Sequence, residues 1–279
     1  MVHPVAIVLV LSAAVAHAGW NIFAKRVPDG GALFVWLAAV WGVVFLLPFA
    51  VVLVARDGMA ASWWLAFCVS GVIHLGYFVL LQRGYRVGDL SVVYPLARGT
   101  GPLLSVVAAV WLLGERPGAI AFVGALAVVA GVFVIGGLGT GAGMGYGLAT
   151  GALIACYTLW DAHAVTALAT PPVILMCGSA LVESVLLAPY AVARREAVGR
   201  IWREHRVAVL AVAVLSPLAY VLVLFAMRLA PVSMVAPARE LSIVIGSLGA
   251  WLLLGEPNPR RRLTGAVIVL AGVAAIAVS

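Results

Sequence analysis

The side chains with the most chemical potential in this sequence lie inside long apolar stretches. Arg98, Glu183, Arg239 and Glu240 are so placed, and His17, His74, Asp161 and His163 join them. An ionisable group in such a setting must face a protein interior, a water-filled cavity or a partner charge. A guanidinium matches the plane of a carboxylate, so Arg98 or Arg239 suits an organic anion or an amino acid. The competing reading is an internal ion pair with Glu183 or Glu240. Glu183 in turn suits either a proton-coupling carboxylate or the partner of an arginine. His17 and His74 suit proton carriage, since histidine titrates near neutrality, or neutral hydrogen-bonded packing.

Spacing groups these residues on helical faces. His17, Asn21 and Lys25 are four apart, and His74 lies three before Tyr77. Tyr94 and Arg98 are four apart, as are Tyr157 and Asp161, with Trp160 beside the latter pair. Residues three or four apart share one face of a helix. Rings with a polar edge among charged groups would suit a small, partly polar organic solute. Trp20 and Asn21 suit the same lining, or interhelical hydrogen bonding and interface anchoring.

The elements that must carry these groups follow from composition. The chain has 279 residues, 65% hydrophobic and 10% charged, with a mean hydropathy of +1.18. Soluble domains carry about 25% charge, so a soluble globule and a disordered chain are both excluded. The fold class is an all-α polytopic membrane protein. Ten spans of about 20 residues leave about 80 for loops, too few for a separate catalytic domain. Apolar runs between Gly, Pro, Arg and Asp clusters predict helices near 4–24, 31–55, 62–84, 90–112, 118–136, 144–163, 171–192, 207–228, 233–254 and 261–278. The apolar run after Met1-Val2-His3-Pro4 lacks a preceding basic region and is expected to be the first span. Cys68, Cys156 and Cys177 have no metal-ligand spacing and are expected to be buried small side chains.

The chain repeats itself. Leu112 to Glu115 recurs as Leu253 to Glu256, and at the same offset Ala97-Arg98 falls on Ala238-Arg239 and Gly124-Ala125 on Gly265-Ala266. Trp20 falls near Trp160. The division is 1–137 and 138–279, with the glycine-rich run from Gly137 to Gly143 as the joint. Five helices in each half give the halves opposite membrane orientations, the inverted-repeat plan with a substrate site between them.

The remaining features are mostly structural. Glu115 and Glu256 follow apolar helices and precede Arg116-Pro117 and Pro257-Asn258-Pro259, where they are expected to order the turns into the next helices. Pro95 and Pro237 are expected to kink their spans or start them. Gly124, Gly131, Gly246 and Gly249 are expected to allow close helix approach. No phosphate-binding loop, His-Glu-x-x-His or paired cysteines are found, and no cofactor, metal or nucleic-acid partner is expected. The net charge of +7 sits mainly in short loops. Arginines and lysines crowd the loops after odd-numbered spans, notably Arg194 to Arg206, which places those loops inside and both termini outside.

His17-Ala18-Gly19-Trp20-Asn21-Ile22-Phe23-Ala24-Lys25 resembles the first-helix signature of EamA-type transporters of the drug/metabolite transporter superfamily. The Leu-Leu-Gly-Glu exits followed by a Gly-Ala helix, and the ten-helix layout, are similar to that family over nearly the whole chain. The resemblance implies a secondary transporter of the bacterial inner membrane, exporting amino acids or other small organics by alternating access. It implies a cavity enclosed by helices 1, 3, 4, 6, 8 and 9, lined by Trp20, Asn21, Tyr77, Tyr94, Arg98, Tyr157, Trp160, Tyr220 and Arg239. His17, His74, Asp161, Glu183 and Glu240 are the coupling candidates, with a proton as the coupling ion considered. The implied partners are a small-molecule substrate and the bilayer, in a monomer or a homodimer. Trp160-Asp161 stands where the first half has Trp20-Asn21, so the site is asymmetric. The family places both termini in the cytoplasm, opposite to the arginine bias. The rival readings are a membrane enzyme acting on lipid and a non-transporting membrane protein.

Overall fold

The structure is a computed structural model and describes residues 3–24, 26–27, 30–88, 90–136, 143–254 and 259–279. The joint at 137–142, Lys25 and Glu256 lie outside the described residues. All regular structure among the described residues is helical: α1 (Pro4–Ala24), α2 (Gly31–Asp57), α3 (Ala61–Val87), α4 (Leu90–Leu112), α5 (Ala119–Gly136), α6 (Met144–Thr166), α7 (Pro172–Val192), α8 (Arg195–Met227), α9 (Val232–Ala238), α10 (Leu241–Leu254) and α11 (Pro259–Val278). Six of them, α1, α2, α3, α7, α8 and α11, are long and apolar enough to cross a membrane on length and composition. Large apolar side chains such as Phe49, Val52, Trp64 and Val185 are exposed, as expected of surfaces facing lipid.

The helices coincide with the predicted spans in order and number, with two departures. The ninth span is not continuous: α9 ends at Ala238 and α10 begins at Leu241. Pro237 has no N–H to offer the Ser233 carbonyl. Beyond it the chain tightens into i→i−3 bonds, from Glu240 N–H to the Pro237 carbonyl (2.9 Å) and from Ile243 N–H to that of Glu240 (2.8 Å). The break falls on Arg239 and Glu240. The second departure is the stretch from Arg195 to Arg206, read from sequence as part of a loop. It is helical and joins the eighth span through a bend at His205 (φ −128°, ψ 22°). Val198, Ile201 and Trp202, at helical spacing, pack against a core shared with α1 and α2. Trp202 stacks on Trp41 with ring centroids 5.1 Å apart.

Packing between α5 and α11 rests on glycine. A methyl group added at Gly124 would lie 2.7 Å from the Gly272 carbonyl oxygen, and one at Gly272 would lie 2.6 Å from that of Gly124. Gly131 and Gly265 stand in the same reciprocal relation, at 2.9 and 2.8 Å. The contacts run antiparallel and fill the space between the helices with backbone. The expectation for Gly124 and Gly131 therefore holds, whereas Gly246 faces open space. Of the cysteines only Cys177 is buried; Cys68 and Cys156 are exposed on apolar helices, because their helical phase turns them away from the protein core.

Candidate functional site

Two polar groups of side chains meet in the interior, one charged at the α9–α10 break and one hydrogen-bonded on α3, α6 and α8. At the break, Arg98 Nη2 of α4 lies 3.0 Å from Glu240 Oε2 and donates to Ser242 Oγ at 3.3 Å. The contact with Glu240 is ionic: Oε2 has no aligned hydrogen-bond donor. Arg239 Nε is 3.7 Å from Glu240 Oε1. Arg239 is 3% exposed, and its Nε and Nη2 have no hydrogen-bond partner among the described residues. Its guanidinium carbon lies 6.0 Å from the centre of the Tyr157 ring, a weak cation–π approach.

In the second group, Asp161 Oδ2 accepts from the Tyr220 hydroxyl at 2.6 Å and lies 3.0 Å from His74 Nε2. Asp161 is fully buried and its Oδ1 has no partner among the described residues. The His74 ring lies 4.2 Å from that of Tyr157 and 5.4 Å from that of Tyr220, while Tyr77 meets Tyr157 edge-on at 5.7 Å. Tyr157 thus stands between the two groups, with Asp161 one turn beyond it on α6. Local helix geometry places that pair together; the contacts with α3 and α8 come from packing around Ala97, Ile154 and Tyr157.

The structure sorts the sequence candidates. Arg98, Arg239 and Glu240 come together, with Tyr94 one turn from Arg98 and in electrostatic reach of it. His74, Tyr77, Tyr157, Asp161 and Tyr220 also converge. Among the described residues Glu183 makes no ion pair with an arginine; the charged groups in its reach are His74 and Asp161, because α7 presents it toward α3 and α6. His17 touches the edge of the Trp20 ring at 4.9 Å and feels Arg98 and Arg239. Trp20 leans toward the core of α2 and α8, its Nε1 buried without a partner among the described residues. Asn21 turns back on its own helix, donating to the His17 carbonyl at 2.7 Å. Trp160 ties α6 to α3 by donating to the Ala66 carbonyl at 2.9 Å. Its indole N–H is therefore committed to packing. His163 is exposed beside it.

Sequence reasoning missed Ser242, since an ordinary serine in an apolar helix carries no signal. It also assigned Glu115 to its own turn. Glu115 instead accepts from the backbone N–H groups of Val232 (2.8 Å) and Ser233 (2.9 Å), the unpaired donors at the start of α9. A carboxylate at a helix N-terminus satisfies those donors and complements the helix dipole.

A polytopic helical bundle with buried opposite charges around a broken helix is a plan that membrane transporters use. The sequence profile of the EamA-like transporter family matches residues 4–137 and again residues 141–278. The chain belongs to that family, whose members are secondary transporters and not enzymes. A crystal structure described only as "Crystal structure of protein" is similar over 98% of this chain and 96% of that one, with a TM-score of 0.79 and 16% identity, a likeness of fold. No curated protein matches the sequence.

Proposed function

We propose that this transporter exports amino acids or closely related small organic metabolites across the bacterial inner membrane by alternating access. One observation carries the reading: two buried groups whose hydrogen-bonding atoms lack partners among the described residues flank Tyr157. Arg239 offers Nε and Nη2, and Asp161 offers Oδ1. A zwitterion would answer both, its carboxylate on the guanidinium and its ammonium on the aspartate, with the Tyr157 ring against its carbon skeleton. Both groups are buried, so a substrate reaches them only if helices move, which alternating access supplies. The break at Arg239-Glu240 provides a natural place for that movement, as broken helices do at transporter sites.

Two inverted repeats, 1–137 and 138–279, fit this cycle. The twofold match of the family profile supports the division. So does the crosswise pairing of Gly124 with Gly272 and of Gly131 with Gly265, positions related by the sequence offset. Proton coupling through Glu183, with His74 and Asp161 beside it, completes the proposal.

The test is flux of a panel of amino acids and related metabolites in cells producing the chain. Export of at least one amino acid, abolished by Arg239→Gln and by Asp161→Asn, is the expected result. Flux of none of the panel, or flux that survives both substitutions, overturns the reading.

A further inference from the structure

The bend of α8 holds a basic cavity that shares no lining residue with the two polar groups described above. It has a volume of about 370 Å³ and lies where the end of α1 meets the bend, with Arg26, Arg203, His205 and Arg206 on its walls. Three arginines share the lining with one carboxylate, that of Glu204, whose Oε2 lies 4.0 Å from His205 Nε2. Among the described residues none of the three arginines pairs with a carboxylate; Arg26 lies over the Phe23 ring at 5.3 Å. Among the described residues the lining therefore carries a surplus of at least two positive charges, on the side chain best shaped to grip phosphate.

The surroundings say what kind of anion fits. The helix changes character at this point, from the basic segment ending at Arg206 to an apolar span. Val207 lines the cavity and is 66% exposed. Val214, Leu218 and Phe225 continue an exposed apolar stripe from it at helical spacing. The Trp41–Trp202 stack holds the basic segment against α2. A ligand here meets positive charge at its head and an apolar track below it.

We propose that this cavity binds the phosphate headgroup of an anionic phospholipid, with an acyl chain lying along Val207, Val214 and Leu218. The proposal is independent of what the protein transports. It is tested on the purified full-length chain in a non-ionic detergent, by native mass spectrometry and thermal unfolding. The probes are phosphatidylglycerol, phosphatidylcholine and inorganic phosphate. Phosphatidylglycerol is expected to be retained and to raise the unfolding temperature, with little effect from the other two. Arg203→Gln combined with Arg206→Gln should weaken retention about thirtyfold, from about 1 kcal/mol for each basic residue near a lipid surface. Arg194→Gln serves as the control, since Arg194 lies over Tyr190 at 3.9 Å and outside the cavity, and should leave retention unchanged. Equal retention by the double variant, or equal retention of phosphatidylcholine, overturns the proposal. Stabilisation by inorganic phosphate alone also overturns it, in favour of a free-anion site.

Discussion

Arg98 and Glu240 meet at 3.0 Å across the interior, joining α4 in the first half of the chain to the helix break in the second. Glu240 is also the counter-charge nearest to Arg239, so one carboxylate serves two guanidinium groups. Glu240→Gln leaves both arginines buried without compensation. Removing one partner of a buried pair costs about 3–5 kcal/mol. A drop of that size in unfolding free energy is expected in detergent. The double variant Arg98→Gln/Glu240→Gln should recover part of it, whereas additive single effects would show that the pair is not coupled.

Arg239 and Arg98 should respond differently to substitution. Arg239→Lys keeps the charge and loses the fork. A charge-assisted hydrogen bond contributes about 1.5–3 kcal/mol, so the KM for an exported amino acid should rise roughly ten- to a hundredfold with little loss of stability. Arg98→Lys should act mainly on stability, because Arg98 is already engaged by Glu240 and Ser242. Transport titrations beside melting curves separate the two.

Glu183→Gln tests coupling. Glu183 sits within reach of His74 and Asp161 and, among the described residues, is paired with no arginine. If it carries the coupled proton, the variant should lose the dependence of flux on external pH while still binding substrate. Unchanged flux with an unchanged pH profile would remove Glu183 from the mechanism.

Gly272→Val should separate α5 from α11. Its Cβ would stand 2.6 Å from the Gly124 carbonyl oxygen, a backbone atom that cannot swing aside. Overpacking of this kind costs about 1–3 kcal/mol. Gly246→Ala, at a position facing open space, should leave the unfolding temperature unchanged.

Orientation is decided by labelling. Arg200→Cys, placed in a background lacking Cys68, Cys156 and Cys177, lies on the basic segment before the eighth span. The arginine bias predicts protection from an impermeant thiol reagent added outside intact cells. Labelling would instead support the family orientation.

The sequence by itself determined the class of fold and the order of the spans. An apolar run of membrane length must become a helix, since no other local structure satisfies its backbone in lipid. It also determined which charges must be accounted for, because so few lie inside those runs. Local spacing correctly paired Tyr157 with Asp161 on one face. Tertiary structure decided which charge met which. His74 reaches Asp161 across 87 residues, Tyr220 reaches it across 59, and Arg98 reaches Ser242 across 144. No local pattern encodes such pairings; they depend on how helices rotate and stack. The same holds for Glu115, which sits beside its own turn in sequence and caps α9 in space. Trp20, Asn21 and Trp160 show the converse. Their residue types suit a substrate lining, but rotation and packing direct Asn21 to its own backbone, Trp160 to α3 and Trp20 toward a neighbouring core. The break at Arg239-Glu240 needed both levels. Pro237 removed a backbone donor, and the buried charges made the interrupted backbone a feature of the protein interior.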